Sequence, residues 1–144
     1  MSSSLITFRG RSFWMHDATG EVVLAALLDR VAAENPCRPN IKAVLKEVDD
    51  ALSSGWVSGI LSNFEEFVEQ DPWVKCSILD LTARLLLDSN GTRESEVVRS
   101  GGYQVDKQMF CEELSALRDL LSGKGRFDGP SKIYSLTERS WKVA

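Results

Sequence analysis

Residues 71–91 read DPWVKCSILDLTARLLLDSNG, and this segment indicates a helical protein more clearly than any other. Proline cannot continue a preceding helix but suits the first turn of a new one, and Asp71 before it suits the N-cap. Apolar residues then fall on most sides of the predicted helix over 72–88, which is typical of a helix at the centre of a core. We therefore predict that this helix is the most buried element and that Asn90-Gly91 ends it.

Apolar residues at a helical period predict four more helices, over 14–34, 41–53, 57–70 and 105–122. Residues 92–104 stay open, since 92–99 could form a short helix before Gly101-Gly102. The tail after Thr137 is also interpreted as a short helix. Residues 5–13 form an arm in which weak alternation of side chains is compatible with an extended strand.

These elements predict an all-α fold in a single domain over residues 1–144. Its architecture would be a bundle or orthogonal array of about five to six helices with a short N-terminal arm. The hydrophobic and charged fractions, 43% and 26%, match ordinary globular proteins. The first residues lack the basic and apolar regions of a secretory signal, and no apolar run is long enough to cross a membrane. We expect a cytoplasmic protein that is a monomer when free.

Charge is distributed very unevenly along the chain. No lysine or arginine occurs between Lys46 and Lys75, whereas this window contains seven acidic residues. They are Glu47, Asp49, Asp50, Glu65, Glu66, Glu69 and Asp71. The chain has a net charge of −4, so the residues outside the window sum to +3. A region of one sign favours a partner of the opposite sign, and it disfavours nucleic acid, whose phosphates are negative.

The predicted helix over 57–70 holds the most unusual part of this window. Its apolar face consists of Ile60, Leu61, Phe64, Phe67 and Val68. The helical wheel places Glu65, Glu66 and Glu69 opposite the two phenylalanines, toward solvent. Glu65 and Glu69 are four residues apart with like charge, which disfavours the helix. With Glu66 they also crowd its C-terminal half, where the helix dipole disfavours anions. No lysine four residues away relieves them, and local rules are most often broken at functional sites.

A milder interpretation is that Lys42, Lys46 or Lys75 neutralises this face, or that water solvates it. Trp56 follows a serine- and glycine-rich connection, where core packing is the favoured interpretation and partial exposure beside the acidic residues is the alternative. We predict a partner-binding surface formed by residues of the acidic window, namely Glu65, Glu66, Glu69, Asp49, Asp50 and Trp56.

Residues that could support catalysis are few. His16 is the only histidine, and a surface or capping role is its simplest interpretation. The three widely spaced cysteines fit neither a disulfide framework nor a zinc site, and we expect buried free thiols. The glutamates show no calcium-loop spacing. We therefore expect no enzymatic activity, no metal and no cofactor.

Three stretches together resemble the small immunity proteins of bacterial contact-dependent growth inhibition and related polymorphic toxin systems. They are the aromatic lead 12–17 before a leucine-rich helix, the acidic helix between Trp56 and Trp73, and the 85–91 helix end before a polar loop and a last amphipathic helix. The resemblance implies tight binding of one cognate toxin, often a basic nuclease. The alternative function is a non-catalytic helical interaction module, such as a regulator, chaperone or adaptor.

Overall fold

The computed structural model describes residues 3–34, 39–91, 97–100, 103–123, 132–135 and 140–143. Most of these residues lie in six helices, as predicted for a mainly helical fold of about five to six helices. The helices are α1 (Asp17–Glu34), α2 (Pro39–Ser54), α3 (Ser58–Ser62), α4 (Phe64–Glu69), α5 (Pro72–Gly91) and α6 (Lys107–Ser122). Within the described ranges, no helix combines the length and the apolar character needed to cross a bilayer.

The N-terminal arm is extended and forms an antiparallel hairpin of β1 (Ser3–Phe8) and β2 (Arg11–His16). The loop of two residues has positive φ at both Arg9 (50°) and Gly10 (78°), which matches the right-handed twist of a hairpin. The predicted start of the first helix at residue 14 is wrong, since the chain pairs as a strand as far as His16. Pairing with β1 therefore overrides the local helical pattern.

The hairpin belongs to a larger sheet that the sequence pattern did not predict. β5 (Lys132–Ser135) pairs parallel to β2, and β6 (Ser140–Val143) pairs antiparallel to β5. The strand order is therefore β1-β2-β5-β6, and a separate pair is formed by β3 (Val97–Ser100) and β4 (Tyr103–Asp106).

The short helices suggested for 92–99 and for the tail are wrong where the structure describes these segments. Residues 97–99 lie in β3, and the end of the tail lies in β6. Residues 92–96 and 136–139 lie outside the described residues. These strands are short, and their partners are distant in sequence or follow a turn, so periodicity within one segment could not indicate them.

The core is centred on α1. The prediction that α5 is the most buried helix is therefore wrong. Every side chain from Val22 to Leu27 is buried. α5 buries Val74 and Ile78 completely but exposes 73% of Leu87. The reason is that α1 packs against three helices and three strands, so it is covered on more sides than its sequence pattern indicates.

The start of α5 is as predicted. The carboxylate of Asp71 accepts the backbone N–H of Trp73 at 2.9 Å, and Pro72 is the first helical residue. Asp71 is therefore the N-cap of this helix, where it satisfies a backbone donor that the helix itself leaves unpaired. The helix continues through Asn90 to Gly91, beyond the predicted end.

Two polar contacts fasten strand β2 along helix α6. At one end, the buried guanidinium of Arg11 donates to the backbone carbonyls of Asp119 (3.4 Å) and Leu120 (3.2 Å) in the last turn of α6. Burial lowers the pKa of Arg11 to about 10, against the opposing effect of Asp119. At the other end, the fully buried carboxylate of Glu113 accepts the backbone N–H of His16 at 2.9 Å. The hairpin is thus held to the helical layer at both ends of β2.

Candidate functional site

An open groove with a volume of about 340 Å³ holds the three glutamates that the sequence singled out. α4 and the residues just before it form most of this groove, and β1 contributes Thr7. The lining residues are Thr7, Ser62, Asn63, Phe64, Glu65, Glu66 and Glu69. The predicted site residues Glu65, Glu66 and Glu69 are therefore brought together on one surface, which we call the acidic groove.

A break in the chain at Asn63 shapes the acidic groove. The helix predicted over 57–70 is two short helices, because Asn63 leaves the helical conformation with φ −117° and ψ 38°. The Asn63 side chain donates to the carbonyl of Gly59 at 3.1 Å, and its backbone N–H donates to Ile60 at 3.1 Å. Asparagine readily forms such local bonds, which compete with helix continuation.

The predicted apolar face survives this break. Its five members are all buried, and the Phe64 and Phe67 rings stack with centroids 6.4 Å apart. Glu66 and Glu69 are exposed, as predicted, whereas Glu65 is only partly exposed. Burial of the two phenylalanines fixes the helix orientation, so the glutamates are turned toward the groove and solvent.

The break changes the electrostatics of Glu65 and Glu66. Both residues lie in the first turn of α4, not in the C-terminal half of a longer helix. Acidic side chains are favoured at this end of a helix, so the predicted conflict with the helix dipole is wrong for these two residues. Glu69 ends α4 and keeps the unfavourable position.

Glu65 also has a partner that the sequence did not indicate. Its Oε1 accepts the backbone N–H of Arg9 at 3.0 Å, in the tight turn between β1 and β2. The donor is a backbone amide 56 positions away, so the prediction that no lysine four residues along the helix pairs with Glu65 is unaffected. A carboxylate that accepts the turn amide fixes the hairpin against α4, so Glu65 serves the structure of the groove as well as its charge.

Glu66 and Glu69 form no ion pair with any basic side chain of the described residues. Of the lysines proposed to neutralise this face, Lys75 lies over the ring of Phe8, with Nζ 5.3 Å from the ring centroid. Lys42 and Lys46 are exposed on α2. Two carboxylates of the groove are thus unpaired within the described structure.

The remaining predicted site residues lie outside the acidic groove. Asp49 and Asp50 are exposed on α2. Trp56 is 68% exposed in the connection before α3, where its backbone N–H donates to Ala51 at 3.0 Å. The favoured interpretation of Trp56 as a core residue is therefore wrong, and the alternative of an exposed side chain is the one that holds. None of these three side chains lines the groove.

Sequence reasoning missed Trp14, whose side chain is 52% exposed on β2. Its neighbours Phe13 and Met15 are buried, so Trp14 points to the opposite face of the strand. Phe13, Trp14 and Met15 are three consecutive apolar residues, so recognising β2 as a strand would separate Trp14 from its neighbours without showing which face is exposed. Cys76 is exposed and Cys111 partly exposed, so the expectation of buried thiols is wrong for these two, while Cys37 lies outside the described residues.

Sequence reasoning also missed the partner of the single histidine. Nδ1 of the His16 ring contacts Oε1 of Glu113, and the hydroxyl of Thr19 donates to Oε2 of Glu113 at 2.8 Å. Glu113 is completely buried, whereas the His16 side chain is 30% exposed.

Among the described side chains, no group of three or more potential ligands is placed to hold a metal ion.

Comparison of the chain with protein-family models, with curated protein sequences and with solved structures gave no match.

Proposed function

We propose that this chain is an immunity protein that binds and neutralises a cognate bacterial toxin through its acidic groove. The observation that carries this proposal is the pair Glu66 and Glu69, exposed side by side in an open groove and unpaired within the described residues. A lysine or arginine of a partner would relieve the repulsion between them. The toxin would present a basic surface, as a nuclease domain must in order to bind phosphates.

The attachment of the groove to the core and to the hairpin supports this proposal. The buried rings of Phe64 and Phe67 hold α4 on the core, and Glu65 is tied to the hairpin through the Arg9 amide. Charges on a scaffold that is already ordered lose little freedom when a partner binds. Such a surface favours fast, electrostatically steered association and inhibition by covering the partner, with no chemical step. We place this activity in the bacterial cytoplasm.

The experiment uses the gene directly upstream of this one. Its C-terminal domain is expressed in a bacterium with and without this chain, and survival is measured. We expect growth arrest that this chain relieves, and a complex of one copy each. Association should slow about tenfold or more as salt rises from low to physiological concentration. A harmless upstream product, or a toxin whose effect this chain leaves unchanged, would refute the proposal.

Charge reversal tests the placement of the interface. Glu66→Lys and Glu69→Lys should each weaken toxin binding by about tenfold or more, because each replaces an attraction by a repulsion. Asp29→Lys is the matched control, since Asp29 is an exposed acid on α1 that does not line the groove. Asp50→Lys tests whether the interface extends to α2. Equal affinities for the Glu66, Glu69 and Asp29 variants would show that the groove is not the interface.

The alternative function is a non-catalytic helical interaction module that acts as a regulator, chaperone or adaptor. The exposed ring of Trp56 favours it, because exposed tryptophan is common where proteins bind through apolar contacts. A complex whose affinity is independent of salt and falls after Trp56→Ala would support this alternative over toxin neutralisation.

A further inference from the structure

The outer face of the β1–β2 hairpin connects the exposed Trp14 to the acidic groove. Along β1, Ile6 and Phe8 are buried, while Leu5 and Thr7 alternate with them and are partly exposed. The strand register pairs Leu5 with Trp14 and Thr7 with Ser12, and paired residues share a face of the sheet. Thr7 and Trp14 therefore lie on the same face as diagonal neighbours, about 7–8 Å apart.

Thr7 belongs to both surfaces. It lines the groove together with Glu66 and Glu69, and its hydroxyl is hydrogen-bonded to that of Ser12 at 2.8 Å on the hairpin face. The exposed indole of Trp14 is thus separated from the acidic groove by one small polar residue. Leu5 and Thr7 flank the indole without charge, so the negative charge at this surface comes from the groove side.

We infer that Trp14 is the apolar anchor of the interface whose charged part is the acidic groove. The partner segment would place an aromatic or aliphatic side chain on the indole and an adjacent lysine or arginine between Glu66 and Glu69. This inference rests on the proposed function, since it assumes a basic protein partner. Two observations support the inference: Trp14 lies beside the acidic groove, and the negative groove requires a positively charged partner.

Tryptophan is among the residues that most often dominate binding energy, because it buries a large rigid surface at low entropic cost. A half-exposed indole offers a partner an apolar contact, and the unpaired carboxylates beside it favour a partner with positive charge. The groove alone would accept any basic segment, whereas the indole would select segments in which an apolar side chain adjoins the charge. Trp14 would therefore set specificity, and the glutamates would set the sign of the partner.

Two short peptides serve as probes, Lys-Lys-Phe-Lys-Lys and Lys-Lys-Gly-Lys-Lys. Each is titrated at low salt into the full ¹⁵N-labelled chain, and affinity is followed by amide and indole N–H resonances. We expect the phenylalanine peptide to bind about fivefold more tightly or better, and the indole resonance of Trp14 to shift with that peptide only. Trp14→Thr should reduce the affinity ratio to about one, as expected for loss of an anchor.

Leu87→Thr is the matched control, since it removes an exposed apolar side chain on α5 that does not line the groove, and it should keep the ratio. Threonine suits an exposed strand position, and amide spectra that match outside the hairpin confirm folding. If the Trp14 variant unfolds, the Trp14 indole shift in the unmodified chain still decides the question. Equal binding of both peptides, weakened by Glu66→Lys, would overturn the anchor and leave the groove as the site. Failure of both peptides to bind would overturn the groove itself, and this inference with it.

Discussion

Replacing Glu113 with alanine should greatly destabilise the fold. The Glu113 carboxylate is fully buried and connects the junction of β2 and α1 to α6. It accepts the backbone N–H of His16 at 2.9 Å, the His16 ring through Nδ1, and the Thr19 hydroxyl at 2.8 Å. Alanine removes the acceptor for all three donors while leaving the donors in place.

The expected loss of stability depends on how deeply each of the three donors is buried. The Thr19 side chain is completely buried, so its hydroxyl cannot reach water, and the His16 amide loses the acceptor that it has in the folded state. Each buried donor left unpaired costs about 1–3 kcal/mol. The His16 ring is partly exposed and can be rehydrated, so it adds little. Together with the space vacated, we expect the free energy of unfolding to fall by about 3–5 kcal/mol.

The assay is urea and thermal unfolding followed by circular dichroism at neutral pH. A loss of this size should lower the midpoint temperature by about 10–17 °C for a chain of this length. Glu66→Ala is the matched control, because it removes an exposed glutamate without an ion pair in the described part and should change stability by no more than about 0.5 kcal/mol.

Glu113→Gln extends the test if the alanine variant fails to fold. Glutamine keeps the volume and one oxygen acceptor, so it should cost less than alanine but more than Glu66→Ala. If Glu113→Ala and Glu66→Ala have equal stabilities, the carboxylate does not hold β2 to α6 and the reasoning is refuted.

Two further predictions concern packing and pH. A Cβ on Gly20 would lie 2.6 Å from Cδ1 of the buried Leu61. Gly20→Ala should therefore lower the free energy of unfolding by about 1 kcal/mol, net of its gain in helix propensity. In a double-mutant cycle, Leu61→Val should recover part of that loss of stability. Additive effects in the cycle would contradict this contact. The Trp73 indole (3.1 Å) and then Arg30 lower the pKa of Glu34 below its ordinary 4.5. A carboxylate whose pKa is lower in the folded state stabilises the fold above its unfolded pKa and loses that contribution as the pH falls through the folded value. The midpoint temperature of Glu34→Gln should therefore be lower than that of the unmodified chain at pH about 7, and the difference should shrink as the pH falls below about 4.5. A difference that stays constant as the pH falls would contradict the assignment.

Several features could be predicted from the sequence because they depend on neighbours along the chain. The Asp71-Pro72 helix start is one, since an N-cap needs only the next two residues. The buried face that contains Phe64 and Phe67 is another, because a period of 3.6 residues identifies it even though the helix breaks at Asn63.

The candidate site was predictable only in part. Composition identified Glu65, Glu66 and Glu69, and helix geometry predicted that all three face solvent, whereas Glu65 is only partly exposed. The contact between Glu65 and the Arg9 amide joins residues 56 positions apart, and no local pattern indicates such a pair. Trp14 was missed because its strand was interpreted as the start of a helix.

Local chemistry along this chain was enough to establish a mainly helical protein with its negative charge concentrated in one window. The assembly of distant segments decided the rest. Pairing of β2 with β5 turned the arm into part of a sheet, and the buried Glu113 contact joined β2 to α6. The packing of α4 near β1 made a groove of glutamates that had looked like a solvated helix face. Hydrogen bonds and burial between segments far apart in sequence supply this information, and periodicity within one segment cannot contain it.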